Sequence, residues 1–390
     1  MEIEWQAQDG ELLAHTSRLR IDGKSAVTPH IAQVSTGPEV SGPQKAYTHV
    51  DKDLVDGNIP KNSLVIVGEN IALPTMENLD KGSTVDALIE RLNAKVIPNR
   101  INLTYPRIPG GFGTPLDKVK ASAVVDAQLE VAASLIIPPL QGGLSNLKQF
   151  NMVLERTLIS MQTSQSKREI VGYFPDMEDL DLIPDMVQAY LKADVRFFAI
   201  DFASGNIPRS LVRSTVRSIR ENLGIGLRTK EQGETYYLHA FNVPTARKSS
   251  TAIAPLSDII THPYGVDSTS GQMWGGGKLD KTKMRYYNIQ DYGGYRPTAL
   301  KSVGKPSCSC SVCSHHTFDE VYFGSDHQVY QKLRKHKLNA YSQECVVVAN
   351  KIATVDAAKG YKAYIITKAR AKDDVTAVVN DVLEIRAGLK

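Results

Sequence analysis

The sequence predicts an α/β protein, a (β/α)8 TIM-type barrel with an inserted or appended subdomain toward the C-terminus. Short apolar runs recur at 63–70, 134–140, 169–175, 196–202, 236–243 and 258–267, each of strand length. Helical stretches such as VKASAVVDAQLEVAA and IPDMVQAYLKAD separate them, and this alternation is the pattern of a parallel sheet with crossover helices. With 390 residues, 42% of them hydrophobic, the chain can bury one large barrel with additions. More than six strand–helix units over some three quarters of that length favour a closed barrel over an open sheet.

The expected division is a catalytic barrel over 1–300, a metal-binding subdomain over 301–345 and a helical segment over 346–390 that packs on the barrel. No repeat of 20 to 50 residues and no low-complexity tract interrupts it. Charged residues make up 23% of the chain, which argues for order nearly throughout. The opening segment MEIEWQAQDGELLAH carries acidic residues and no apolar core, and no window approaches the length of a membrane span. A cytoplasmic protein without membrane contact is the expectation.

Barrel enzymes place their chemistry at the C-terminal ends of the strands, where the loops converge on one mouth. That rule selects Glu69, Asn70, Asp201, Asn242 and Asp267. Asp201 follows FFAI and Asp267 follows a Gly-Val pair, so both carboxylates should be delivered by buried backbone. A carboxylate in such a place also serves commonly as a helix N-cap.

Net charge is +4, compatible with a polyanionic partner without requiring one. Arg209, Arg213, Arg217 and Arg220 recur at helical spacing and read as a basic stripe, in the simplest case a solvated face. Lys278, Lys281, Lys283 and Arg285, followed by Tyr286 and Tyr287, form a second basic cluster. Cations hold phosphates while aromatic faces stack on unpaired bases, so this cluster is the candidate nucleic-acid contact.

Four cysteines are too few for a disulfide scaffold, and three of them fall within six residues. Cys308, Cys310 and Cys313 form Cys-x-Cys-x-x-Cys in a loop rich in serine, glycine and proline, which lets three thiolates turn around one ion. His336, at the end of a helical stretch, is the expected fourth ligand; His315 and His316 lie too close to Cys313 to reach the same ion comfortably. A Cys3His set suits zinc, and with all four positions occupied by protein the ion would be structural. Cys345, in an apolar run, reads as a core cysteine.

These motifs resemble those of the tRNA-guanine transglycosylases and their DNA-acting relatives. CSCSVC, followed by His336-Lys-Leu-Asn, resembles that family's zinc motif; TPHIAQVSTG at 28–37 and SLVIVGENIALP resemble its entry strands; GVDST at 265–269 resembles the segment carrying the nucleophilic aspartate. The resemblance covers roughly residues 15–345. It implies that Asp267 attacks the anomeric carbon, guanine leaves, and a 7-deazaguanine displaces the resulting ester. It places Asp201, Phe202 and Gly205 beside the base.

The sequence departs from that pattern where two base-reading aspartates are expected, near RINLTYPRIPGG and IIPPLQ. Base recognition then falls to Glu69, Asn102, Gln141, Asp201 and Asn242. The final 45 residues show no appended RNA-binding module, which favours DNA over tRNA as substrate, with 7-cyano-7-deazaguanine as the incoming base. Either polymer must present its target base outside the stack, with a protein partner assisting access where the substrate is duplex DNA. Two other readings remain at this level: a nucleic-acid-binding subunit on the same fold without catalysis, and a metal-dependent hydrolase using His262 near Asp267.

Overall fold

The computed structural model describes residues 1–36, 63–108, 116–175, 177, 179–202, 209–223, 235–244, 251–271, 280–300, 308–368 and 372–388. Gly205 and Lys278 lie outside the described residues. The chain opens with an antiparallel sheet of β1 (Glu2–Gln8), β2 (His15–Ile21) and β3 (Lys24–Val27). A parallel sheet follows, made of β4 (His30–Ile31), β5 (Gln33–Thr36), β6 (Val65–Asn70), β7 (Asn102–Arg107), β8 (Leu135–Ile136), β9 (Glu169–Phe174), β10 (Phe197–Asp201) and β11 (Tyr237–Val243). After β12 (Ile253–Pro255), which belongs to another sheet, β13 (Ser268–Gly271) completes it.

Helices α1 (Leu73–Glu77) and α2 (Gly82–Asn93) follow β6, and α3 (Lys118–Glu130), α4 (Leu147–Thr163), α5 (Ile183–Lys192) and α6 (Arg209–Asn222) occupy the later crossovers. Asp117 and Asn146 cap α3 and α4 by accepting from the amides of Lys120 and Gln149. Such caps satisfy backbone donors that a helix start leaves unpaired.

The sheet order is β4-β13-β11-β10-β9-β8-β7-β6-β5. Only Ala32 separates β4 from β5, so one short stretch of chain supplies both ends of that order. His30 and Ile31 pair with Ser268 and Thr269, whereas Gln33 and Val34 pair with Val65 and Ile66. This curled parallel sheet is compatible with a TIM-like barrel. Strand parity sorts its side chains: Phe197, Ala199 and Asp201 face inward, while Phe198 packs outward between Phe174 and Tyr190. Both faces are buried, which is why the strands read as continuous apolar runs.

One expected strand is corrected. Residues 258–267 are not a strand; Ile259–Tyr264 form a 3-10 helix that Gly265 ends at a φ of 86°. That left-handed conformation suits glycine, and β13 starts only after Asp267. NLTYPR, absent from the list of apolar runs, forms β7.

The N-terminal sheet covers the end of the barrel where the strands begin. The Trp5 indole donates to the Tyr236 carbonyl at 2.9 Å, Thr235 donates to Ile3 at 2.7 Å, and the amide of Leu13 donates to Pro263 at 3.1 Å. The C-terminal ends of the strands lie at the opposite end of the barrel.

A small antiparallel sheet of β12, β14 (Tyr286–Asn288) and β15 (Gly293–Tyr295) leads through α7 (Pro297–Leu300) and α8 (Phe318–Val321) into α9 (Asp326–Ile352). Capping boxes at Thr317 and Ser325 start α8 and α9. The expected boundary at 345 falls inside α9, a continuous helix of 27 residues. Beyond it, α10 (Tyr361–Ile366) and α11 (Lys372–Gly388) return to the barrel: Tyr361 and Lys362 bond Asp9 and Glu11, and Asp381 accepts from Tyr264 at 2.7 Å. Among the described residues, no helix is long and apolar enough to cross a membrane.

Candidate active site and metal centre

Toward the C-terminal ends of the strands, β7, β9, β10 and β11 bring Tyr105, Arg107, Tyr173, Asp201 and Asn242 together. Asp201, the last residue of β10, is 3% exposed. Its Oδ2 accepts from the hydroxyls of Tyr105 and, at 3.1 Å, Tyr173; its Oδ1 accepts from Asn242 Nδ2 at 2.8 Å. Arg107 Nε lies 3.7 Å away. Burial, the largest cause, pushes both tyrosines well above their ordinary range, and the charge of Asp201 raises both further, so both remain proton donors. The Tyr105 ring stacks on Phe241 with centroids 4.0 Å apart, which fixes its hydroxyl.

Asn242 reaches Asp201 because its backbone is left-handed, with a φ of 55°. Strand parity alone would turn its side chain away from that of Phe241. A non-glycine residue held in this region costs about 1–3 kcal/mol, so the surrounding fold must enforce it. A carboxylate gripped by three neutral donors beside a guanidinium is fixed in orientation.

Asp267 lies elsewhere. It precedes β13, at the covered end of the barrel, and is 1% exposed. Its oxygens accept from Ser17 Oγ at 2.6 Å, Thr28 Oγ1 at 3.1 Å and the Leu238 amide at 2.8 Å, and His15 Nε2 lies 3.1 Å away. Trp5 stacks on His15 with centroids 4.1 Å apart. The expected delivery of Asp267 to the mouth is thus corrected: its carboxylate pins the N-terminal sheet to the barrel floor.

The other expected base-reading residues also separate. Glu69 turns toward the helices, where its carboxylate meets Arg91 at 2.8 Å and Lys95. Asn102 sits at the start of β7 and braces the preceding turn through Ile97 and Arg100. Gln141 and Phe202 are buried on the mouth side: Gln141 pairs with Ile108 beyond β7, and the Phe202 amide donates to Phe241. His262 bonds the Val266 carbonyl and Tyr341, an internal brace, not an open metal site.

The basic cluster is largely absorbed by the fold. Lys281 donates to the Gly324 carbonyl at 2.7 Å, and Arg285 donates to the carbonyls of Thr251, Ala252 and Gly294. Lys283 is well exposed and pairs with Asp280 at 3.2 Å. Tyr286 and Tyr287 are buried and cannot stack on a base. The arginine stripe is similarly engaged, with Arg213 on Glu384 at 2.7 Å, Arg217 on Glu221 at 3.4 Å, and Arg220 fully buried over the Trp5 ring.

Those two tyrosines instead flank the candidate metal centre. Cys308, Cys310, Cys313 and His336 place their ligand atoms within 4.8 Å of one another, as expected for a Cys3His metal site. His336 comes from α9 and turns Nδ1 toward the thiols, 3.4 Å from Cys310 and 3.1 Å from Cys313. Its Nε2 bonds the Tyr287 carbonyl at 2.7 Å, which fixes the tautomer that leaves Nδ1 as donor to a metal. Tyr286 stacks on the imidazole at 4.1 Å and bonds Cys313 Sγ at 3.1 Å. Three thiols and one imidazole, largely buried, fit a tetrahedral ion of borderline softness.

Three buried imidazoles give the molecule an acid limit. Burial, the largest cause, holds His30 and His262 at about 4 and His239 well below its ordinary value. The unfolded chain takes up these protons near 6.5 and the folded chain much lower, so their contribution is complete above pH 6.5 and is lost as pH falls toward 4. Urea midpoints should decline over that window, and NMR should show His30 and His262 still neutral at pH 5.5. Titration of either ring near 6.5 would refute this.

No protein-family model matches the chain, and no curated protein matches it.

Proposed function

We propose that this protein is a base-exchanging transglycosylase acting on nucleic acid, with Asp201 as the attacking carboxylate and zinc as a structural ion in the Cys3His centre. The observation that carries the reading is the position of Asp201 at a strand end, gripped by Tyr105, Tyr173 and Asn242 beside Arg107. In this scheme an Asp201 oxygen bonds to the anomeric carbon as the glycosidic bond breaks. Guanine departs with the electron pair and takes up a proton. An incoming 7-deazaguanine then loses its ring proton and displaces the ester, restoring the carboxylate. The motif resemblance supplies the reaction class, while Asp267 is left with a structural role.

DNA is the favoured polymer in this reading, and α10 and α11 are themselves engaged with the barrel through Tyr361, Lys362 and Asp381. The zinc, enclosed by four protein ligands, holds the subdomain to the barrel and does not activate water.

Trapping on labelled single-stranded DNA or tRNA, with guanine or 7-cyano-7-deazaguanine present, tests the scheme. Wild type should form an adduct stable to denaturation, and Asp201→Asn should form none while keeping its zinc and melting temperature. Adduct in the Asp201→Asn variant would displace Asp201. Wild-type protein that binds either polymer yet never forms an adduct would favour the second reading, a non-catalytic nucleic-acid-binding subunit; the internal engagement of Asp267 already points that way.

A further inference from the structure

The turn between β14 and β15 is held by a lysine from much later in the chain. Lys368, just past the end of α10, is 9% exposed. Its Nζ donates to the Ile289 carbonyl at 3.2 Å and lies 3.6 Å from a Glu344 carboxylate oxygen. The same ammonium group sits 4.8 Å from the ring centre of Tyr292 and 4.7 Å from that of Tyr364. Both tyrosine hydroxyls donate to that Glu344 oxygen, at 2.6 and 2.8 Å. Two aromatic rings, a carboxylate and a carbonyl thus surround one cation, which offsets the cost of taking its charge out of water.

Tyr292 needs such a hold. Its φ is 50°, in the left-handed region that an aromatic residue occupies only when its surroundings enforce it. It is fully buried, and its carbonyl accepts from the Leu256 amide at 2.8 Å. Lys368 and Glu344 therefore grip the turn at both of its ends, Ile289 and Tyr292. The strand that enters this turn is the one that meets the metal centre: the Tyr287 carbonyl bonds His336 Nε2 at 2.7 Å, and Tyr286 stacks on the same imidazole and bonds Cys313 Sγ at 3.1 Å. The start of α10 is tied through Tyr361 and Lys362 to Asp9 and Glu11, so one short strap joins the N-terminal sheet to the hairpin beside the metal ligands.

We propose that Lys368 is a positioning residue for the metal centre: by latching the β14–β15 turn it keeps the Tyr287 carbonyl against His336 and slows loss of the ion. This rests on the reading of the Cys3His group as a zinc site. A histidine ligand whose second nitrogen is held by a carbonyl is fixed in tautomer and direction, and whatever steadies that carbonyl steadies the ligand.

Transfer of zinc from the loaded, full-length protein to a chromogenic chelator tests it. Removing the direct partner of a metal-bound histidine changes metal affinity by about 10- to 100-fold, and a latch one contact further out should act more weakly, so Lys368→Met, of similar length without the charge, should release zinc about fivefold faster. Lys368→Arg, which keeps a cation between the rings, should stay near the wild-type rate. Lys362→Ala, which loosens the other end of the same strap, should also leave the rate unchanged and so separates the latch from a general loss of stability. No acceleration in Lys368→Met, or equal acceleration in Lys362→Ala, would overturn the proposal while leaving the zinc site standing. Should Lys368→Met fail to fold, Tyr364→Leu, which removes one wall of the cage at a half-buried position, should speed release instead, and an unchanged rate there would overturn it. Wild type that takes up no zinc would remove the metal reading and this role together.

Discussion

Asp267→Ala is expected to destabilise the protein by about 3–5 kcal/mol, the range found when one partner of a buried, hydrogen-bonded charge network is deleted. His15, Ser17, Thr28 and the Leu238 amide all direct protons at this carboxylate, and none can turn to water once it is gone. Asp267→Asn should cost less, since the amide oxygen still accepts from some of these donors. The urea midpoint should fall far more for Asp267→Ala than for Asp267→Asn. If Asp267→Ala is as stable as wild type, Asp267 is not the floor pin described above.

Loss of the metal is expected to be the other large effect. Cys313→Ser or His336→Ala should bind less than half an equivalent of zinc and melt well below wild type. A ligand present at a thousand times its dissociation constant stabilises the native state by about 4 kcal/mol. Replacing Cys345, buried in the barrel core and remote from the ligand set, with Ala should leave zinc content unchanged. Full zinc occupancy in His336→Ala would mean that another residue completes the set, and an unchanged melting temperature after chelation would deny the ion its structural role.

How far these features could be read beforehand depends on where their partners lie in the chain. Five apolar runs announced five strands because both faces of each are buried. The Cys3His set was legible because three ligands sit in one loop and the fourth on a patterned helix. The run DIITHPYGVD misled because a short buried apolar segment has no period to separate strand from one-turn helix, and only the left-handed Gly265 distinguishes them. With that misreading, Asp267 moved from floor to mouth.

The covering sheet could have been found from the alternation in EIEWQAQ, whose period of two its acidic residues obscured. Lys281, Arg285, Tyr286 and Tyr287 looked like a surface for phosphates and bases because nothing local reveals that their partners are carbonyls and a metal ligand remote in sequence. The Asp201 cluster draws on four strands, and one member depends on a backbone conformation that no residue pattern encodes.

Helix α9 carries His336, whose next residue, Lys337, pairs with Asp258 at 2.8 Å; one turn on, Tyr341 bonds His262 and Thr269, and Glu344 accepts from Tyr292 and Tyr364. A helix of this length spans about 40 Å. The metal knuckle is therefore not a detachable module. Transplanted alone into another scaffold it would leave its fourth ligand behind, and exchanged between homologous chains it would have to travel with the helix and the barrel surface that the helix was shaped to fit.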